Sequence, residues 1–222
     1  MNRLVSASGL VLGLAVLAQQ AAFGASGDPQ KHLTAAGTHL AAGALLTRGE
    51  LGTGAWKAGP SAGSGTSSSC GIVLRIHPVE SDLVEVGAAS GPVFTNSGTE
   101  ALNQSVSVFA TAAQANTAWQ RTVNPKLVIC MEQQVEATST MGAPVSVTDW
   151  SQLKLPGLAG DAAGFRVVAT ATAAKRKVNV YFDQILLSRS HTVTKLVFSS
   201  FEKPFSTAFE IQLAREVATR LG

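Results

Sequence analysis

An α+β fold, with an antiparallel sheet of about five to seven strands packed against about three helices, is what this sequence predicts, on three observations. The last third of the chain alternates apolar and polar residues in runs joined by short polar turns, the pattern of antiparallel hairpins. After Pro204 the apolar spacing changes from two to four, the period of an amphipathic helix. Strands and helices do not alternate regularly elsewhere in the way a parallel sheet requires.

The three closing runs form a meander. Phe165, Val167, Ala169 and Ala171 place apolar groups on one face of an extended strand, and Val178, Val180 and Phe182 do the same in the next. Residues 193–198 form the third. Lys175, Arg176 and Lys177 make the first turn; Ser188, Arg189 and Ser190 make the second. In the middle run Ile185 and Leu187 fall out of step with Val178, Val180 and Phe182, so either a bulge at Asp183 and Gln184 flips the faces or both faces are covered. A bulge there would re-aim side chains toward a ligand. The C-terminal helix carries Phe209, Leu213, Val217 and Leu221 on one stripe with Ala214 and Ala218 beside it, and Glu216 and Arg220 stand at i, i+4 on the other side.

Upstream, residues 31–46 show helical spacing, with Leu33, Ala36, Leu40, Ala44, Leu45 and Leu46 on or near one face. His32 and His39 lie here, about 10 Å apart along a helix, too far to share one metal ion. A turn or short helix surrounds Leu51; Gly49, Gly52 and Gly54 run in the reverse of the dinucleotide fingerprint and follow no strand. Residues 57–69 read as a Gly/Ser-rich loop. Gly59, Ser61 and Gly63 spell GxSxG there, but Pro60 and the Ser-rich run deny it the strand and helix of a nucleophile elbow.

Short strands follow at 72–77, 81–87, 93–95 and 105–110. Glu80, Asp82 and Glu85 are an acidic group that could bind a cation, but without calcium-loop spacing around them they read as a solvated loop and edge strand. Asn103, Gln104 and Ser105 form a glycosylation sequon. Residues 112–123 are helical through Ala112, Ala115, Trp119 and Val123; Asn124 and Pro125 then open a second helix that turns Leu127, Cys130, Met131 and Val135 inward. The pattern is extended around Val145, Val147 and Trp150, and a turn over 156–160 leads back to the meander.

Composition bounds the setting. Of 222 residues, 45% are hydrophobic and 14% charged, so the polar surface is built largely from Ser, Thr, Asn and Gln, as in exported proteins. A net charge of +3 without a Lys/Arg cluster longer than 175–177 excludes a nucleic-acid partner. Arg3, the apolar residues 10–17 and the small-x-small pattern of Ala22, Phe23 and Gly24 read as a signal peptide over residues 1–24. Residues 25–30 are then a flexible segment and 31–222 a single domain. After cleavage no membrane span is expected, and the localisation expected is secreted or cell-envelope. Cys70 and Cys130 are the two cysteines, and in an exported chain such a pair predicts one structural disulfide, stabilising by roughly 4 kcal/mol in the chain-entropy model.

The export signal, the run SVSVFATAAQANTAWQRTV at 105–123, the cysteine-containing LVICMEQQVE and the ending VNVYFDQILLSRSHTVTKLVFSS with LAREVATRL resemble the exported actinobacterial PknH-like extracellular sensor-domain proteins. The chain is also similar to the antiparallel α/β/α sandwiches of the Mog1/PsbP-like exported proteins. The resemblance implies a sheet backed by helices around a cleft for an unidentified ligand. The kinase-linked members carry more than one disulfide, whereas two cysteines allow one here, and no ligand residues carry over. The expectation is an exported, non-enzymatic, sensor-like module binding a small-molecule or cell-envelope ligand, with no catalytic, cofactor or metal residues. A secreted hydrolase would need a Ser or an acid beside His77 or His191, and a purely structural envelope protein is the other alternative.

Overall fold

The computed structural model describes residues 30–61, 82–123, 128, 129, 132, 135, 145–158, 160–173 and 176–221. The signal peptide over 1–24, the Cys70 and Cys130 pair, His77 and Glu80 lie outside the described residues. Nine strands form one sheet: β1 (Gln30–Lys31), β2 (Trp56–Ser61), β3 (Val84–Ser90), β4 (Pro92–Asn96), β5 (Glu100–Phe109), β6 (Val145–Gln152), β7 (Asp161–Ala173), β8 (Arg176–Arg189) and β9 (Thr192–Phe201). Three helices accompany it, α1 (Ala35–Gly43), α2 (Ala112–Thr122) and α3 (Thr207–Ala218), with a 3-10 turn at Arg48–Leu51. Val128, Ile129, Glu132 and Val135 are also helical.

The α+β architecture is therefore the expected one, with a wider sheet than five to seven strands. The strand order is β1-β3-β5-β9-β8-β7-β6, and β2 pairs with β4, which pairs with β5. Every pairing is antiparallel except β1 with β3. β5 is long enough to hold β9 along one edge and β3 and β4 in succession along the other. Gly91 marks the break between those two, its N–H donating to the Gln104 carbonyl. Gln30, placed by sequence in the N-terminal segment, is the first residue of β1 and pairs with Val84. β2 takes residues 57–61 out of the expected Gly/Ser loop; the rest of that loop lies outside the described residues.

The ladder through Asp183 and Gln184 is regular on both sides. Phe165 pairs with Gln184 and Arg166 with Asp183 on β7, and Asp183 with Phe198 on β9, without a register shift. No bulge exists there, and the other account of the parity change is the correct one. Ile185 and Leu187 face α1 and α3 together with Leu196, Phe198, Leu102, Val106 and Val108. Val180, Phe182 and Leu186 face the opposite way, with Val167, Ala169, Val128 and Val135. A strand buried on both sides shows apolar residues at both parities. β8 does so where it runs under helices on both faces, and alternates at its exposed start.

Helix α1 corrects the expected apolar stripe. Gly37, Ala41 and Ala44 are buried, whereas Leu33 is 54% and Leu40 40% exposed. The reason is the depth of contact. A Cβ on Gly37 would lie 2.2 Å from the Val86 oxygen, and one on Gly87 would lie 2.1 Å from the Gly37 backbone. Only two glycines let the helix backbone rest on the strand backbone. The helix ends at Gly43, after which Gln104 ties the chain down by accepting from Leu46 N–H at 2.6 Å and donating to the Ala44 carbonyl at 3.0 Å.

Helix α3 starts at an N-cap, Ser206, whose Oγ accepts from Phe209 N–H. Its stripe packs as expected through Leu213, Ala214, Val217, Ala218 and Leu221. The expected Glu216 and Arg220 pair gives way to a tertiary one: Arg220 pairs with Glu50 and donates to the Leu45 carbonyl at 2.7 Å. A guanidinium that bonds a carbonyl and a carboxylate of another element gains more than an exposed i, i+4 pair supplies.

Candidate functional site

The two faces of the sheet carry different chemistry at their centres. On the α1 and α3 face the middle is apolar and aromatic. Trp56, Phe205 and Phe209 stack on one another, their ring centroids 5.9–6.3 Å apart, and Phe198 meets Phe205 edge-on at 5.3 Å. These contacts seat the first turn of α3.

On the α2 face the same central strands present polar groups. Ladder pairing sets them in rows: Ser105 beside Lys195 and Leu186, Asn103 beside Val197 and Gln184, Ser107 beside Val193 and Ser188. Ser199, next to Phe182, extends the set. Asn103, Gln184, Ser188, Lys195 and Ser199 are all buried. α2 lies over this floor, held by Ala115 against Leu83, Phe109 and Val193, with Trp119 reaching across to the neighbouring cluster of Val167, Phe182 and Leu186. Thr111 caps α2 by accepting from Gln114 N–H, and Arg121 anchors its end through two bonds to Asp82 at 3.0 and 2.8 Å.

Buried polar groups normally find partners, and each that does not requires another account. Here the Ser105 hydroxyl and the Trp119 Nε1–H are both buried without a hydrogen bond among the described residues. Burial pushes the Lys195 ammonium down to about 7, far below its ordinary range, because the charged form loses its water. The floor thus offers hydroxyl, amide, indole and amine groups in an otherwise apolar setting. That combination suits orientation of a small polar molecule.

A second polar cluster lies on the opposite face. Arg166 Nε and Nη2 bond the two Asp183 oxygens at 2.6 and 2.7 Å, and Arg166 Nη2 stands 3.5 Å from Glu210 Oε1 on α3. The same nitrogen reaches the Phe205 carbonyl at 3.4 Å. Hydrogen bonding to Asp183 raises the Arg166 pKa despite desolvation.

The remaining sequence candidates disperse. His32, His39 and His191 are exposed, and Asp82, expected as solvated, is exposed but paired with Arg121. Glu85, expected on an edge strand in solvent, is buried, opposite Phe109 in the ladder. Among the described residues there is no group of three His, Cys, Asp or Glu that could hold a metal ion. Ser61 ends an exposed strand, not a buried one. The sequon asparagine, Asn103, is buried mid-strand in β5, where an oligosaccharide has no room. No described helix is long and apolar enough to cross a membrane.

Sequence reasoning missed Lys195, Ser105 and Glu210. Their signal was present: Ser105 and Ser107 recur at strand spacing, and Glu210 falls on the helical stripe one turn before Leu213 and Ala214. A polar residue at an inward parity marks such positions.

No protein-family model matches the chain, and no curated protein matches it. Among solved structures it is similar to the crystal structure of the extracellular domain of PknH from Mycobacterium tuberculosis. The identity is 14% and the TM-score 0.43, over 82% of this chain and 95% of that one. This is a distant structural resemblance and nothing finer.

Proposed function

We propose that the chain is an exported, extracytoplasmic and non-enzymatic binding module of a sensor-like kind, receiving a small polar ligand on the floor beneath α2. The observation that carries this reading is the pair of buried groups, Ser105 Oγ and Trp119 Nε1, left without hydrogen bonds among the described residues. Ser105 stands beside Lys195, on strands whose opposite face is packed with apolar side chains. Rigid central strands hold such groups more precisely than loops do, as a recognition site requires. His191 stands exposed at the turn between β8 and β9.

Native mass spectrometry of protein purified from its own host tests the reading. A co-purifying small molecule of constant mass is expected, and Ser105→Val and Lys195→Met should each release it while the fold remains. Host-purified protein that carries no small molecule, and whose melting temperature no polar metabolite raises, would refute it.

A further inference from the structure

Arg166 on β7, Asp183 on β8 and Glu210 on α3 meet beneath the first turn of that helix, on the face opposite the polar floor. We propose that these three residues form a proton-binding site that controls the seating of α3 on the sheet. The inference stands independently of the ligand reading above.

The charge count comes first. One guanidinium faces two carboxyl groups, and the Asp183 and Glu210 side chains are 1% and 0% exposed. Asp183 takes both ends of the guanidinium fork, the geometry that makes the strongest Arg–carboxylate pair. Glu210 is left with a 3.5 Å approach to one nitrogen, and neither of its oxygens has a hydrogen bond among the described residues. With both acids ionised, the cluster would hold an uncompensated buried negative charge, so one proton must remain, and it belongs on the acid with the poorer partner.

Among the described residues no other group supplies the missing positive charge. On β8, Tyr181 is the further titratable neighbour of Arg166; on β9, Phe198 stands beside Asp183 and Lys195 points to the opposite face. In the 3-10 turn, Arg48 is engaged with the Trp56 carbonyl and Glu50 with Arg220. Lys154, Glu202, Lys203, Arg215 and Glu216 are exposed. Consistently, burial and then the approach of Asp183 push the Glu210 carboxyl up to about 9.

The consequence is mechanical. Glu210 follows directly on Phe209, whose ring stacks on Trp56 and Phe205. Removing the proton sets two carboxylates against one cation under that turn, and lifting the turn brings Glu210 to water. The aromatic stack opens with it.

Carboxyl carbon NMR of the full chain, labelled at Glu side chains, reads the site directly. The resonance that disappears in Glu210→Gln should be that of a protonated acid at pH 7, with a midpoint at least about two units above an ordinary glutamate. Hydrogen exchange of residues 207–218, corrected for its intrinsic pH dependence, should speed up across the same midpoint in the parent and not in Glu210→Gln. Asp183→Asn frees the guanidinium for Glu210 and should lower its midpoint by about two units; it also identifies the resonance if Glu210→Gln does not fold. A Glu210 that titrates in the ordinary range, a midpoint indifferent to Asp183→Asn, or α3 protection that is flat across the midpoint would each overturn the proposal.

Discussion

The two faces of this sheet share their strands but not their chemistry. Toward α1 and α3, residues 185, 187, 196 and 198 close with Trp56, Phe205 and Phe209 into one apolar core, under which Arg166 pairs with Asp183 and leaves the Glu210 carboxyl without a hydrogen bond among the described residues. Toward α2, the neighbouring residues of the same strands supply Lys195, Gln184, Asn103 and Ser105, two of whose surrounding groups lack partners among the described residues. One face closes around aromatic rings with its polar groups gathered at a single ion cluster, and the other sets polar groups in rows along the strands.

That contrast is open to direct test. Phe198→Ala removes a fully buried ring that meets Phe205 edge-on and should cost about 3–5 kcal/mol in denaturant unfolding. A loss under about 1 kcal/mol would mean the core is not where the stability resides. Arg166→Met leaves Asp183 and Glu210 without their cation and should cost about 3 kcal/mol or more at neutral pH.

The faces should also respond to pH with opposite signs. Glu210, raised to about 9 in the folded chain, contributes stability that is fully present below its ordinary value of 4.5 and is lost as pH rises to about 9. Lys195, lowered to about 7 from 10.5, works the other way: between those values the unfolded chain binds the extra proton, so stability rises with pH. Each slope is at most about 1.4 kcal/mol per pH unit, and the two oppose one another between about 7 and 9. Urea titrations across this range should be nearly level for the parent, rising for Glu210→Gln and falling for Lys195→Met. Parallel profiles for the two variants would erase the distinction between the faces.

The smallest effect is expected at Ser105. Ser105→Ala deletes a hydroxyl that has no partner among the described residues, so the melting curve should move by less than about 1 kcal/mol. Ligand retention should nevertheless fall at least tenfold. A large loss of stability without a change in binding would place Ser105 among the structural residues.

Much of the architecture was legible because short-range periodicity reports local structure. The β7–β8–β9 meander, α2 and α3 all lie where alternation and helical spacing put them. Legibility failed where the partner surface decided the outcome. Leu33 and Leu40 look like the core face of α1 until Gly37 is seen lying against Val86 and Gly87, a contact too close for leucine. Ile185 and Leu187 suggest a bulge until helices are found on both sides of β8. Arg220 finds its carboxylate 170 residues away in sequence rather than one helical turn back.

The sequence by itself determined which segments are extended and which helical, since backbone sterics and side-chain period act within a few residues. Only the tertiary structure decided which polar residues would be buried and with whom. Arg166, Asp183 and Glu210 are unremarkable singly, as are Ser105 and Lys195. Their chemistry comes from strand register and from the helix laid over each face, and both of those are set by contacts between residues far apart in the chain.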